Sequence, residues 1–337
     1  MSEQGELPAI RLPLPWHTRE WSLLNQQLAA GRLPHALLLV GRQHTGKSQF
    51  AIALSRLLLC AQPEGSLNCG TCHACELSSS GGHGDFRWVS PGEKSRVIKI
   101  DQIRDMLRFS NTTAGFGLRK VIVLSPADSM NVNAFNALLK LLEEPAKDTY
   151  ILLVCDHMHG IPATIRSRCH ILRLPTPDTE ISLDWLDRTT GQRDRSETLL
   201  SLSDGLPMLA RELECRGNAD ELEARRLSVE GLLAGRITVH QAYVPWSEME
   251  VSEFLEALTV DLQRAVGSQS LPRLRTRRGQ LLFELLDEVS RMRRSVSAGA
   301  NPGKQLLMEA LFSKIHRRLG ADTPDGSILE QVGEPTL

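Results

Sequence analysis

The chain has 337 residues, of which 41% are hydrophobic and 23% charged, with a formal net charge of −1. That length sustains two or three domains with their own cores, while the near-neutral balance excludes a global pull toward nucleic acid or membrane. Any DNA contact must therefore come from a local patch. The chain contains no run of about 18 apolar residues of the kind that spans a membrane. Its start, Met1-Ser2-Glu3-Gln4-Gly5-Glu6, is acidic and polar, unlike a secretory leader, so a cytoplasmic location is expected. Seven cysteines, four of them clustered, point in a reducing compartment to metal rather than disulfides.

Residues 1–15 hold Pro8, Pro13 and Pro15 and read as an extended arm. Residues 16–30 have helical spacing through Trp21, Leu24 and Leu28, and Gly31 ends the pattern. The apolar run Ala36-Leu37-Leu38-Leu39-Val40 predicts a buried strand, and Phe50, Ile52, Ala53, Leu57 and Leu58 suit one face of a helix. Between them lies Gly41-Arg42-Gln43-His44-Thr45-Gly46-Lys47-Ser48, which fits G-x-x-x-x-G-K-[ST] at every defined position. In such a loop, glycines let backbone N–H groups turn inward around a phosphate and the helix N-terminus adds partial positive charge. Gly41, Thr45, Gly46, Lys47 and Ser48 are the expected nucleotide-binding residues, Lys47 reaching the outer phosphates of ATP and Ser48 holding Mg²⁺.

Cys60, Cys69, Cys72 and Cys75 follow in a C-x8-C-x2-C-x2-C arrangement, with Gly65 and Gly70 supplying turns. Four soft ligands at this spacing suit a closed, tetrahedral, structural Zn²⁺ site, with His73 or His83 as alternatives to one cysteine. No Lys or Arg stands between the ligands, which favours a scaffold over a grip on DNA.

Residues 85–89 predict a short strand, residues 91–94 a turn, and residues 97–100 another short strand. Asp101 is the expected N-cap of a helix over 102–110. Residues 120–124 predict the next buried strand. A phosphate-loop ATPase needs carboxylates at the end of that strand to anchor Mg²⁺ and orient the attacking water, yet this chain has Ser125 and Pro126, with Asp128 displaced past the proline. Nucleotide binding is thus expected without turnover. A strong helix over 133–144 ends at Pro145, residues 150–155 predict a strand, residues 161–169 a short helix starting at Pro162, and residues 170–174 a last strand.

Together the phosphate loop, the four cysteines, Asn136-Ala137-Leu138-Leu139-Lys140-Leu141-Leu142-Glu143-Glu144-Pro145 and Ser167-Arg168-Cys169 resemble the clamp-loader branch of the AAA+ ATPases that serves bacterial DNA polymerase III. The resemblance covers roughly residues 15–320. It implies an α/β P-loop domain over 1–175 with the zinc module at about 60–75, a helical lid over 176–216 and an all-α collar over 217–320, followed by a disordered tail over 321–337. It also implies that Arg168 is an arginine finger presented in trans to nucleotide on a neighbouring subunit. The partners implied are an ATPase motor subunit and the delta subunit in a pentameric ring, the sliding clamp through that complex, and primed DNA indirectly, with no membrane. Hydrolysing members carry a second-domain arginine after a Gly-Ser turn; here Met208 takes that place, a second departure in the direction of lost turnover. The competing readings are an autonomous P-loop ATPase or NTP-dependent kinase, and a zinc-dependent DNA-binding regulator.

Beyond residue 176, residues 183–186, 196–203 and 212–215 read as lid helices. Three apolar stripes follow: Val251, Phe254, Leu255, Leu258, Leu262 and Ala265; Leu281, Leu282, Leu285, Val289 and Met292; and Leu307, Leu311, Ile315 and Leu319. The arginines at 273, 275, 277, 278, 291, 293 and 294 read as solvated surface rather than DNA contacts.

Overall fold

The computed structural model describes residues 13–92, 95–115, 119–267 and 269–319. Most of the expected N-terminal arm, positions 93 and 94 of the expected turn and the whole expected tail lie outside the described residues. The chain divides after Cys215 into two compact units.

The first unit is built on five parallel strands: β1 (Ala36–Val40), β2 (Phe86–Val89), β3 (Lys120–Leu124), β4 (Thr149–Cys155) and β5 (His170–Arg173), in the spatial order β2-β3-β4-β1-β5. Every residue of β1 and β3 is buried, as befits strands covered by helices on both faces. The alternation of side chains sorts them into two cores. Leu38, Ile122 and Leu153 face one side, against helices α4 (Ile100–Ser110) and α5 (Val132–Glu143). Leu37, Leu39, Val121 and Val123 face the other, against α1 (Thr18–Ala29) and α2 (Lys47–Leu59). This is the expected α/β fold, a parallel sheet covered by helices on both faces with the phosphate loop after β1. The remaining helices of the unit are α3 (His73–Ser79), α6 (Ala163–Arg166), α7 (Thr179–Thr190), α8 (Arg193–Leu202) and α9 (Pro207–Arg216).

Two local expectations are corrected. The strand expected over 97–100 is reduced to a single bridge between Ile98 and Met130, and Ile100 already opens α4. The cap of α4 is Lys99, not Asp101: the Gln102 side chain folds back and accepts a hydrogen bond from the Lys99 N–H at 3.0 Å. Asp101 instead sits in the first turn, where its charge suits the helix dipole. By contrast α5 is capped as its start requires, Asn131 Oδ1 accepting from the Ala134 N–H at 2.9 Å.

The second unit is all helical among the described residues: α10 (Ala219–Leu233), α11 (Val239–Tyr243), α12 (Val251–Gly267), α13 (Leu271–Leu274), α14 (Arg277–Ser297) and α15 (Lys304–Leu319). Phe254, Leu258, Leu285, Val289, Leu311 and Ile315 close one core around Trp246, which is fully buried. The Trp246 indole N–H finds its acceptor in Ser228 Oγ at 2.9 Å. Several of the surface arginines are occupied inside this unit: Arg278 donates to the Leu233 carbonyl at 2.7 Å, and Arg291 pairs with Asp287 at 3.3 Å.

Candidate functional site

Parallel pairing puts the carboxyl ends of β1, β3 and β4 along one rim, where Val40 lies opposite Cys155 and Leu124 opposite Leu153. Ligands of open α/β sheets bind at that rim. The chain there leaves β1 through the phosphate loop, β3 through Ser125 and β4 through Asp156. A cavity of about 850 Å³ opens at this point, lined among others by Gly46, Lys47, Ser48, Ser125, Asp156 and Met208.

The loop's shape follows from its glycines. Gly46 has φ +86°, and a Cβ there would lie 2.1 Å from Leu14 Cδ1; a Cβ on Gly41 would lie 2.8 Å from the Leu174 carbonyl oxygen. Thr45 holds the turn by donating from Oγ1 to the Arg42 carbonyl at 2.7 Å, and the Trp16 indole N–H caps the Thr45 carbonyl at 2.9 Å. Helix α2 starts at Lys47, so its free N–H groups point at the cavity. Lys47 is 4% exposed and its Nζ reaches Asp156 Oδ1 at 2.6 Å and the Arg42 carbonyl at 2.7 Å. Ser48 Oγ lies 3.4 Å from Ser125 Oγ. Of the five expected nucleotide-binding residues, Gly46, Lys47 and Ser48 line the cavity, while Thr45 is fully buried and Gly41 packs against the Leu174 carbonyl, so these two shape the loop from behind. The glycine-shaped loop, the helix start and the paired hydroxyls fit a phosphate chain.

Other residues here were not singled out in the sequence. Asp156 supplies a carboxylate from just past the end of β4. Arg211, one turn beyond Met208 on α9, also lines the cavity, and its guanidinium lies 5.8 Å from the Trp185 ring centroid. Asp128 does not line it; Oδ2 accepts from the His157 N–H at 3.0 Å and Oδ1 from the Asp156 N–H at 3.4 Å, so its role is to brace the loop after β4.

His17 is buried behind the loop, in edge-on contact with Phe50 at 5.5 Å, and neither ring nitrogen has a hydrogen-bond partner. Burial first, and then the charge of Lys47, lower its pKa from 6.5 to about 4. The imidazole therefore folds neutral. Below pH 6.5 the unfolded chain takes up a proton that the fold refuses, so this contribution to stability is complete above pH 6.5 and is lost as pH falls toward 4. Urea unfolding at pH 7 and 4.5 should show His17→Leu losing about 2–3 kcal/mol less than the parent chain over that interval. Equal losses in the two proteins would contradict the assignment.

At the far end of α2 the four cysteines meet. Cys60 caps the helix, Cys72 precedes α3 and Cys75 lies within it. All four Sγ atoms fall within 4.8 Å of one another, with Cys60 to Cys69 at 3.6 Å, Cys60 to Cys72 at 3.9 Å and Cys69 to Cys75 at 3.9 Å. A tetrahedron with metal–sulfur bonds of about 2.3 Å has edges of about 3.8 Å, so the spacing suits a bound metal ion. The Cys69 N–H points at Cys60 Sγ at 3.3 Å and the Cys72 N–H at Cys69 Sγ at 3.4 Å, as thiolates require. Hydrogen bonds from the Thr71 and Cys72 backbone pull the Cys69 thiol down to about 6, whereas burial pushes Cys60 up to about 12. His73 turns outward and is 72% exposed, and His83 Nδ1 accepts from the Asp85 N–H at 3.1 Å.

Arg168 lies just after α6, outside the lining of the cavity. Its Nε donates to Glu143 Oε1 on α5 at 2.8 Å and its Nη1 to the Thr164 carbonyl at 3.0 Å. The pair is open to water, Arg168 being 36% and Glu143 50% exposed.

A family model described as DNA polymerase III, delta subunit, matches residues 16–178. Over 237 residues, covering 70% of this chain and 71% of the relative, the sequence is 37% identical to DNA polymerase III subunit delta' of Pseudomonas aeruginosa. It is 37% identical over 205 residues to the Yersinia pestis subunit, 59% of this chain and 60% of that protein. With the Escherichia coli subunit the identity is 35% over 194 residues, 57% of this chain and 58% of that protein. The last two matches span less than two thirds of those relatives. On the strength of the fold and of these matches, the chain belongs to the DNA polymerase III delta' subunit family.

Proposed function

We propose that this chain is a clamp-loader subunit in DNA replication that has kept the shell of an ATPase but not its turnover. It stands in a pentameric ring with an ATPase motor subunit and the delta subunit, and it assists ATP-dependent loading of the sliding clamp on primed DNA. Residues 176–216 serve as a lid, the second unit as the collar that packs against other subunits, and Cys60, Cys69, Cys72 and Cys75 hold a structural Zn²⁺. The observation that carries the reading is the composition of the cavity rim: Lys47 and Ser48 are in place, while β3 is followed by Ser125 and Pro126. A Ser-Pro end offers no carboxylate to activate water beside Ser48, so a phosphate chain is held without being cleaved. ATP, when bound, would supply the phosphoanhydride; the chain's own residues bind and orient it.

Arg168 acts elsewhere. It lies outside its own chain's cavity and is open to water, which supports a reading in which its guanidinium serves nucleotide on an adjacent subunit and stabilises charge growing on the γ-phosphate. An exposed ion pair such as Arg168–Glu143 contributes about 0–1 kcal/mol, so exchanging Glu143 for a phosphate is cheap. Steady-state ATP hydrolysis by the purified chain tests the reading: no turnover above background is expected. Brisk hydrolysis lost in Lys47→Ala would replace it with the autonomous ATPase.

A further inference from the structure

The charge in the cavity is balanced before any ligand enters. The Lys47 ammonium has its 2.6 Å ion pair with Asp156 Oδ1 and its 2.7 Å hydrogen bond to the Arg42 carbonyl, so two of its three protons are directed at oxygens of its own chain. Both contacts are sheltered from water, Lys47 being 4% and Asp156 21% exposed. A carboxylate oxygen at this distance from the ammonium occupies the kind of position that a phosphate oxygen takes when a loop lysine grips it.

Asp156 is held there by the sheet. Because Val40 pairs with Cys155, the residues that follow, Gly41 and Asp156, leave the sheet side by side. The backbone after β4 is then fixed by Asp128, whose carboxylate accepts the Asp156 and His157 N–H groups at 3.4 and 3.0 Å. Asp128 is itself 11% exposed, so the brace is sheltered too. Beyond that pair the lining carries Arg211 and Glu212, which are of opposite sign, and His44, whose Nδ1 lies 3.8 Å from Glu212 Oε2.

We propose that Asp156 is a built-in counter-ion for Lys47 that takes the place of a ligand phosphate and thereby holds down the affinity of this site for nucleoside polyphosphates. A nucleotide must displace Asp156 from the ammonium and then tolerate a carboxylate next to its own phosphate oxygens. Asp156 is thus a positioning and specificity-determining residue. The inference rests on Gly41–Ser48 being a phosphate cradle and is independent of assembly into a ring.

The test is equilibrium binding of fluorescent ATP and ADP analogues to the purified full chain, in EDTA and in excess Mg²⁺. Wild type, Asp156→Asn, Lys47→Ala and the double variant are compared, with retained metal and unchanged melting as the control for folding. Asp156→Asn should tighten ATP binding at least about tenfold, with or without Mg²⁺, because a charged partner of Lys47 is replaced by a neutral one. The gain should vanish in the double variant. Asp156→Ser should change affinity in the same direction and guards against a peculiarity of the amide. Equal or weaker binding by Asp156→Asn and Asp156→Ser, or no detectable binding by either, overturns the proposal. So does a loss confined to Mg²⁺ buffers, which would make Asp156 a metal ligand instead. None of these outcomes bears on Arg168 or on the ring.

Discussion

Removing the metal from the Cys60–Cys75 module, by a strong chelator or by Cys72→Ser, is expected to lower the melting temperature by roughly 10 °C. Besides the thiols, the module has only small apolar anchors, the buried Ala74 and the partly buried Leu67 packed on the main core. The cluster that the four thiols form contains no other buried apolar side chain, and α3 is only seven residues long, too short to persist on its own propensity. A structural tetrathiolate closes such a loop as a cross-link does, and losing a cross-link of that kind costs about 2–5 kcal/mol. In a domain of about 200 residues each kcal/mol is worth about 2–4 °C. The damage should also reach α2, since Cys60 caps its C-terminus and Arg56, buried in its last turn, donates to the Ser78 carbonyl of α3 at 3.3 Å. Elemental analysis should find one zinc per chain. Protein purified without chelator that carries none, and melts no differently after chelation, would reject the site.

The second large effect is expected at Arg168. Arg168→Ala should leave folding and ring assembly near normal, because the side chain is 36% exposed and its partner Glu143 is 50% exposed, and such pairs contribute about 0–1 kcal/mol. Turnover at the neighbouring site should nevertheless fall by about 10³-fold, the effect of withdrawing a guanidinium from a growing γ-phosphate charge. Arg168→Lys should recover only part of the loss: the charge remains, but the planar fork that binds two oxygens at once is gone. Single-turnover hydrolysis by the reconstituted complex separates this from weakened assembly. A complex that assembles poorly but hydrolyses normally per ring would show Arg168 to be structural.

The parts of the molecule that were legible in the sequence are those where local pattern and tertiary role coincide. The run Ala36–Val40 is apolar throughout because β1 is covered on both faces, and the glycines at 41 and 46 are required by close approach and a positive φ. The cysteine spacing is equally local. Helix α3 was hidden because its positions serve as metal ligands rather than as an apolar stripe. The strand expected over 97–100 failed because Val97, Ile98 and Ile100 had only a single bridge, Ile98 to Met130, to pair through, while the Gln102 side chain pulled the helix start back to Ile100. Asp156 was out of reach for a different reason. It stands more than a hundred residues from Lys47, and only the placement of β4 beside β1, across two intervening strands in sequence, brings them to 2.6 Å. Arg211 likewise depends on how α9 is laid over the rim, although its spacing of one turn from Met208 is a signal that a search along the helix face would use.

The division of labour between the two charged side chains is tested most directly by one comparison. Complexes rebuilt with this chain carrying either Lys47→Ala or Arg168→Ala are assayed side by side for ATP hydrolysis. The account predicts that the Lys47 variant hydrolyses at close to the parental rate while the Arg168 variant loses most of it. The opposite pattern, with hydrolysis lost on removing Lys47 and kept on removing Arg168, would contradict it.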